Sequence, residues 1–398
     1  MNGDYQNWLE DHCWKRINEL FENPSDTLKE RLRQELGIIK GRNLEFFFWT
    51  INTLFGDLVR EHVPYSTRGA SGDSLVLHLL GLTHYNPLDN MLPAVFFYGK
   101  EYEKKRLSFD INLSDDDRER VLQKLLEETG YIETDFNEAK RPLILEIIFQ
   151  TDTFEGNEVF LGIQEKKEDE SDRKYVVKVH NRRSQSKEST DFIIRIYRNS
   201  DIDLLHELKD ITGEAAPQNP EIEKELFDYF DITNGLRYDP SGLSTIDSTF
   251  IRNYCLNTVH PTTCDELSKL LGLTMASDAY ISNQQPLLEN KIITLGKAIS
   301  SREDVYNYFI SYGFDEDHAY SLVFDIIKRD RSISTEDIQA MADHGVPELY
   351  VNIIRRIRYL FCSGQMLDYT WQILSLAYYK RNHTKCFKAL INRHEGRR

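Results

Sequence analysis

The chain has 398 residues and a formal net charge of −16, with 40% hydrophobic, 12% aromatic and 29% charged residues. This balance is typical of a globular protein with an apolar core and excludes a chain that is disordered throughout. No run approaches the roughly 20 apolar residues that a membrane-spanning helix needs. The polar start, MNGDYQNWLEDH, is unlike a signal peptide, so we expect a cytoplasmic protein.

Helices dominate the predicted structure of the first hundred residues. Apolar spacing predicts a helix over 5–22, a second that Ser25 caps, a third over 44–62 and a fourth over 74–82. Small residues and two glycines interrupt the pattern between Tyr65 and Asp73, which predicts a loop. The apolar run from Pro93 to Tyr98 predicts a strand.

Strands dominate the next hundred residues. Over Leu107–Leu113, apolar and polar residues alternate as in a half-buried strand. A helix capped by Ser114 is predicted from Asp115 to Gly130. Four strand-like runs follow between 143 and 197, separated by polar inserts that favour exposed hairpin tips: LILEIIF, EVFLGI, KYVVKV and DFIIRIY.

From about residue 201 the pattern is helical almost to the end of the chain. A mixed first part followed by an all-helical second part predicts an α+β protein of two domains. We place the first domain at 1–238 and the second at 239–398. The five cysteines form no CxxC pair, so the sequence predicts no zinc site.

Segments from across the chain resemble, in order and at compatible spacing, one protein family. These segments are VPYSTRGASGDSLVLHLLGLTHYNPL (63–88), RLSFDINLSDDDRERV (106–121), FIIRIYRNSDIDLLHELKDITG (192–213) and much of 240–395. Together they are similar to the palm and fingers of the bacterial C-family DNA polymerase III α subunit in its PolC form. The resemblance implies a mixed-sheet palm, a helical fingers domain and a reduced thumb or insert region near 114–141.

Catalysis in this family depends on two divalent ions held by three palm aspartates. By resemblance, the first aspartate position falls on Ser108, the second on Asp110 and the third on Arg195. One carboxylate therefore remains, and a cation stands where another is needed. We predict that the chain holds no metal ion and needs no cofactor.

The family's serine- and glycine-rich loop cradles the triphosphate of the incoming nucleotide. The resemblance implies that a remnant of this phosphate site survives here at Arg68, Gly69, Ser71, Gly72 and Ser74. Glycines would let backbone N–H groups approach phosphates, and an arginine can bind them through two hydrogen bonds. Two family serines are replaced by Ala70 and Asp73, and an aspartate beside a triphosphate is unfavourable.

The fingers region, like the phosphate loop, differs from the family at polar positions. A basic residue of the family falls on Thr249, and the lysine and histidine of a KAHA-like motif fall on Ser363 and Gln365. The substitutions concern polar, functional positions, whereas the apolar pattern survives.

Three functional hypotheses follow from the sequence. The first is a catalytically inactive pseudo-polymerase that binds a replication or repair partner or primer–template DNA, as a regulator or subunit of a larger complex encoded by a mobile element. The acidic net charge opposes DNA binding and favours a protein partner. The second is a divergent Mg²⁺-dependent nucleotidyltransferase that uses Asp110 with Asp201 or Asp203. The third is a structural component, since fold does not fix function.

Overall fold

The computed structural model describes residues 5–100, 106–129, 143–151, 161–168, 174–181, 191–216, 241–327 and 333–395. The chain divides into two compact units, the first comprising residues 1–88 and 96–207 and the second 89–95 and 208–398. The boundary that we placed at 238 lies in the segment 217–240, outside the described residues, and stays a prediction.

The first unit begins with three helices of 16 residues each: α1 (Tyr5–Leu20), α2 (Asp26–Gly41) and α3 (Glu45–Arg60). They match the predicted helices, and the Ser25 hydroxyl caps α2 by accepting the N–H of Leu28 at 3.2 Å. Helix α4 (Leu75–Leu79) is shorter than predicted. Its end is set by Gly81, which has a φ of +77° that favours glycine.

The predicted strand over Pro93–Tyr98 is wrong, because the structure has a short helix, α5 (Val95–Tyr98), in its place. The reason is that a short apolar run buries itself equally well as a helical turn or as a strand, and periodicity cannot separate the two over so few residues. The adjoining elements agree with the prediction: β2 (Leu107–Leu113) and α6 (Asp115–Glu128), which Ser114 caps.

A six-stranded mixed sheet forms the centre of the first unit, in the order β1-β2-β6-β3-β5-β4. Its strands are β1 (Ser66–Arg68), β2, β3 (Ile144–Thr151), β4 (Leu161–Glu168), β5 (Lys174–Asn181) and β6 (Phe192–Arg198). Pairs β2–β6 and β3–β5 are parallel, and the other three pairs are antiparallel. This arrangement confirms the α+β class.

The two faces of the sheet differ because polar and apolar residues alternate along its strands. One face is apolar and fully buried at Phe109, Ile147 and Ile194. Helix α3 covers that face, with the ring of Phe55 centred 5.4 Å from that of Phe109 in an edge-to-face contact. The opposite face carries the polar residues of β2 and β6, and the candidate site lies there.

Helix α7 (Ser200–Thr212) follows the sheet, and the rest of the described chain is helical. The helices are α8 (Asn257–Val259), α9 (Cys264–Met275), α10 (Gln285–Glu289), α11 (Arg302–Ser311), α12 (Glu316–Ile327), α13 (Thr335–Asp343), α14 (Glu348–Arg356), α15 (Ser363–Asn382) and α16 (Thr384–Glu395). The 20-residue α15 is the longest of them and contributes Ile373 and Leu376 to the core of the second unit. In the described part of the chain, no helix combines the length and apolar character needed to cross a membrane.

Candidate functional site

Four neighbouring strands place a row of charged residues across the polar face of the sheet. Strand pairing sets Arg68 of β1 beside Asp110 of β2, Asp110 beside Arg195 of β6, and Arg195 beside Glu146 of β3. Ser108 precedes Asp110 by two residues and so lies on the same face. The predicted catalytic positions Ser108, Asp110 and Arg195 are therefore brought together, and Glu146 joins them.

Arg195 bridges the carboxylates of two neighbouring strands. Its Nε donates to Glu146 Oε2 at 2.7 Å, and its Nη1 donates to Asp110 Oδ1 at 3.2 Å. The same Nη1 lies 2.9 Å from the Ser108 oxygen, and the Ser108 hydroxyl donates to Asp110 Oδ1 at 2.5 Å. The guanidinium thus satisfies two acids at once, with both ion pairs largely sheltered from water.

Burial and charge oppose each other at this site. Burial raises the pKa of Asp110, and the Ser108 hydrogen bond and the charge of Arg195 offset that rise only in part. Burial would lower the pKa of Arg195, but its hydrogen bond to Glu146 and the charge of Asp110 hold that pKa above its ordinary value. Arg195 is therefore a permanent cation at the centre of the row.

The start of the predicted phosphate loop lies against Asp110. The guanidinium of Arg68 sits 4.2 Å from the ring centre of Tyr197, a cation–π contact. Gly69 has a φ of +60°, and a Cβ at that position would come 3.9 Å from Asp110 Oδ2. The Ser71 oxygen lies 3.4 Å from the backbone nitrogen of Asp110. Arg68, Gly69 and Ser71, three of the five predicted loop residues, thus lie beside Asp110.

The end of the same loop is held by a buried acid that the sequence analysis did not single out. Gly72 lies in a 3₁₀ turn over Ser71–Asp73, and Ser74 caps α4. Glu35 of α2 is 0% exposed and accepts hydrogen bonds from the Ser74 hydroxyl at 3.0 Å. It also accepts the N–H groups of Leu75 at 3.0 Å and Val76 at 3.1 Å. A carboxylate of the protein itself therefore occupies the donors at the start of α4.

Asp201 and Asp203 lie in the first turn of α7, as the sequence placed them. Asp203 Oδ1 accepts the backbone N–H of Asp115 at 2.9 Å, and its Oδ2 lies 3.5 Å from Arg198 Nε. These contacts belong to the ends of β6 and β2, beyond Asp110. Among the described residues, no group of three or more His, Cys, Asp or Glu side chains is arranged to hold a metal ion.

The altered fingers positions lie in the second unit. Thr249 is exposed. Ser363 begins α15, and its backbone N–H donates to the buried Glu303 at 2.7 Å. Gln365 is 5% exposed, and its Nε2 donates to the hydroxyl of Tyr369 at 3.2 Å. The Gln365 side chain therefore has a hydrogen-bond partner within its own helix.

Two acids of the site were missed at the sequence level, although each leaves a signal. Glu146 is the one charged residue in the apolar run LILEIIF. Glu35 falls on the apolar face of α2 between the buried Leu32 and Ile39. An acid at a core-facing position needs a buried partner, and that need is the signal that could have identified both residues.

The geometry does not fit a pair of divalent ions. Two-metal chemistry needs several carboxylates free to converge on the ions. Here Asp110 and Glu146 both point at a guanidinium, and the Ser108 hydroxyl donates a hydrogen bond to Asp110.

Comparison with known proteins agrees with this fold. Residues 7–143 match the family model described as "Bacterial DNA polymerase III alpha NTPase domain". The chain is 28% identical over 203 residues to "DNA polymerase III PolC-type" from Caldanaerobacter subterraneus, a match covering 49% of this chain and 14% of that protein. The proteins of the same description from Bacillus subtilis and Streptococcus agalactiae are 24% and 29% identical over 203 and 200 residues.

The first of those alignments covers 49% of this chain, and the other two cover 49% and 46% of it. In each case the match spans only 14% of the length of the relative. The segment matched by the family model contains the predicted phosphate loop, Asp110 and the helices around them. The chain is therefore similar, over about half of its own length, to a limited part of the PolC-type bacterial DNA polymerase III proteins.

Proposed function

We propose that this chain is a catalytically inactive polymerase III α-like protein, a pseudo-polymerase that acts by binding. The observation that carries the proposal is the position of Arg195, which joins Asp110 and Glu146 across three strands of the palm-like sheet. Nucleotide addition by the family's mechanism needs carboxylates at the positions of Ser108 and Arg195. With a hydroxyl and a guanidinium there, the chain has no way to place two ions beside a primer terminus.

Electrostatics give the size of the obstacle. Two like charges about 4 Å apart repel by roughly 1 kcal/mol in water and by about 4 kcal/mol near a protein surface. A divalent ion bound by Asp110 would lie close to Arg195 and would experience about twice that repulsion. Each tenfold loss of affinity corresponds to about 1.4 kcal/mol, so binding of an ion would weaken by several orders of magnitude.

We further propose that the binding partner is a protein of the replication or repair machinery. The chain carries a net charge of −16, and binding to a phosphate backbone relies on the release of counterions by basic residues. A protein surface of mixed or positive charge fits this chain better than DNA does. We propose that a mobile element encodes this chain and that the chain regulates the replisome of the host.

Primer extension tests the loss of catalysis. The purified chain is incubated with primed template, the four deoxynucleotides and Mg²⁺ or Mn²⁺, and product length is measured. We expect no extension above the blank. Extension that Asp110→Ala abolishes would refute the proposal and favour instead a divergent nucleotidyltransferase that uses Asp110; loss of extension in Asp201→Ala or Asp203→Ala would identify its second carboxylate.

A separate measurement tests the partner. The tagged chain is recovered from its native cells and the co-purifying proteins are identified, while retention of primed template is measured against salt. We expect replication or repair proteins and no DNA retention at about 150 mM salt, where non-specific contacts are strongly weakened. Salt-resistant retention of DNA, with no such protein recovered, would contradict a protein partner.

A further inference from the structure

The ion-pair network at the centre of the sheet contains one more acid than the family's aspartate positions account for. Glu146 lies on β3 and is only 7% exposed at its side chain, and it makes the shorter of the two ion pairs with Arg195, at 2.7 Å. Asp110 makes the other pair from the opposite side, on β2. Two acids from different strands thus converge on a single cationic group.

A largely buried carboxylate is costly unless a cation lies beside it. Asp110 and Glu146 both flank the position of Arg195, so each would also feel the other's negative charge if the guanidinium were removed. Carboxylates that share such a position gain most from a compact divalent cation with oxygen preference, such as Mn²⁺ or Mg²⁺. The Ser108 hydroxyl supplies a further oxygen at the same place.

We infer that Arg195 is a built-in substitute for a metal ion: its guanidinium occupies a cation site formed by Asp110 and Glu146, and it keeps divalent ions out. The inference deepens the proposed function, on which it rests, because it assigns the inactive state to one replaceable side chain. Arg195 is a positioning residue in this account, since it holds two acids in place without touching a substrate. The site so defined uses Glu146, at which the resemblance assigns no role.

Titration with Mn²⁺ alone, followed by the loss of the free-ion EPR signal, tests the inference on the full chain. Arg195→Met keeps much of the side-chain volume and removes the charge. We expect it to bind one Mn²⁺ at least about tenfold more tightly than the wild type does. We expect this gain in Mn²⁺ affinity to disappear in the double variants Arg195→Met/Asp110→Asn and Arg195→Met/Glu146→Gln. Arg195→Lys keeps the positive charge and should bind Mn²⁺ no more tightly than the wild type does.

The matched control is Arg106→Ala. Arg106 lies next to β2 and pairs with Asp191 at 3.9 Å, away from Asp110 and Glu146, so its loss should leave Mn²⁺ binding unchanged. Circular dichroism checks that each variant is folded. The inference is overturned if folded Arg195→Met gains no site, or if its gain survives both double variants.

The wild type supplies a test that does not depend on the folding of any Arg195 variant. Asp110→Asn alone should leave weak Mn²⁺ binding unchanged, because in the wild type Asp110 is engaged by Arg195. Loss of a wild-type Mn²⁺ site in Asp110→Asn would overturn the inference. Neither measurement involves nucleotide incorporation, so their outcome is separate from that of primer extension.

Discussion

Replacement of Glu35 by alanine should strongly destabilise the first unit. The carboxylate is fully buried and receives hydrogen bonds from five groups: the Arg31 guanidinium, the hydroxyls of Ser74 and Tyr98, and the N–H groups of Leu75 and Val76. Hydrogen bonds to a charged group contribute about 1.5–3 kcal/mol each and are not additive. Loss of one partner of a buried ion pair costs about 3–5 kcal/mol. We therefore expect a loss of about 4 kcal/mol.

The assay is urea and thermal unfolding followed by circular dichroism. For a unit of this size a loss of about 4 kcal/mol corresponds to a Tm lower by about 10 °C. Hydrogen exchange should also quicken at the amides of Leu75 and Val76, which lose their acceptor. The matched control is Glu30→Ala on the same helix, where an exposed pair with Arg33 contributes less than about 0.5 kcal/mol.

A destabilisation of Glu35→Ala within about 1 kcal/mol of that of Glu30→Ala would refute the reasoning. It would mean that water or a rearranged loop satisfies the donors at the start of α4, and that the acid does not hold the loop in place.

Three further predictions concern the stability of the two units. Glu146→Gln removes the negative charge of one partner of Arg195 and should cost about 2–3 kcal/mol in urea unfolding, and an unchanged midpoint would contradict the pairing. Burial alone would raise the pKa of Asp117. The hydrogen bonds from His206 and Ser114 outweigh burial, so the pKa of Asp117 lies below its ordinary value. Its contribution is therefore present above the unfolded pKa, near 3.8, and is lost as pH falls through the folded value, so Asp117→Asn should flatten the acid limb of a stability–pH curve. Ser301→Ala removes the capping box of α11 and should lower stability by about 1 kcal/mol, with Ser311→Ala at the other end of the helix as control.

Strong periodicity made most of the fold predictable. Alternation over Leu107–Leu113 identified β2, and Ser25 and Ser114 marked the starts of α2 and α6. The error at Pro93–Tyr98 arose because four to six apolar residues carry too little periodicity to separate a helix from a strand. Helix α4 ends before Gly81, whose positive φ stops the helix, whereas the apolar spacing continues to residue 82 and so predicts too long a helix.

The candidate site was predictable only in part. Ser108 and Asp110 share a strand, so their common face follows from alternation alone. The contact of Arg195 with Glu146 depends on which strands are neighbours in the sheet and how they are aligned. That information lies in the packing of distant segments rather than in either strand, so Arg195 and Glu146 could not be paired from the sequence. The role of Glu35 has the same origin, because its partners at the start of α4 lie 39, 40 and 41 residues away in the chain.

The row of charges from Asp110 through Arg195 to Glu146 also constrains how the sheet can assemble. If β6 slipped by one residue, Arg195 would turn into the apolar face against α3. A slip of two residues would restore the face but would set Arg195 beside Ile144 or Ile148 instead of Glu146. In either misalignment the Arg195 guanidinium is separated from Asp110 and Glu146, at a cost comparable to that of breaking a buried ion pair. The guanidinium thus selects a single alignment of three strands that enter the sheet from distant parts of the chain.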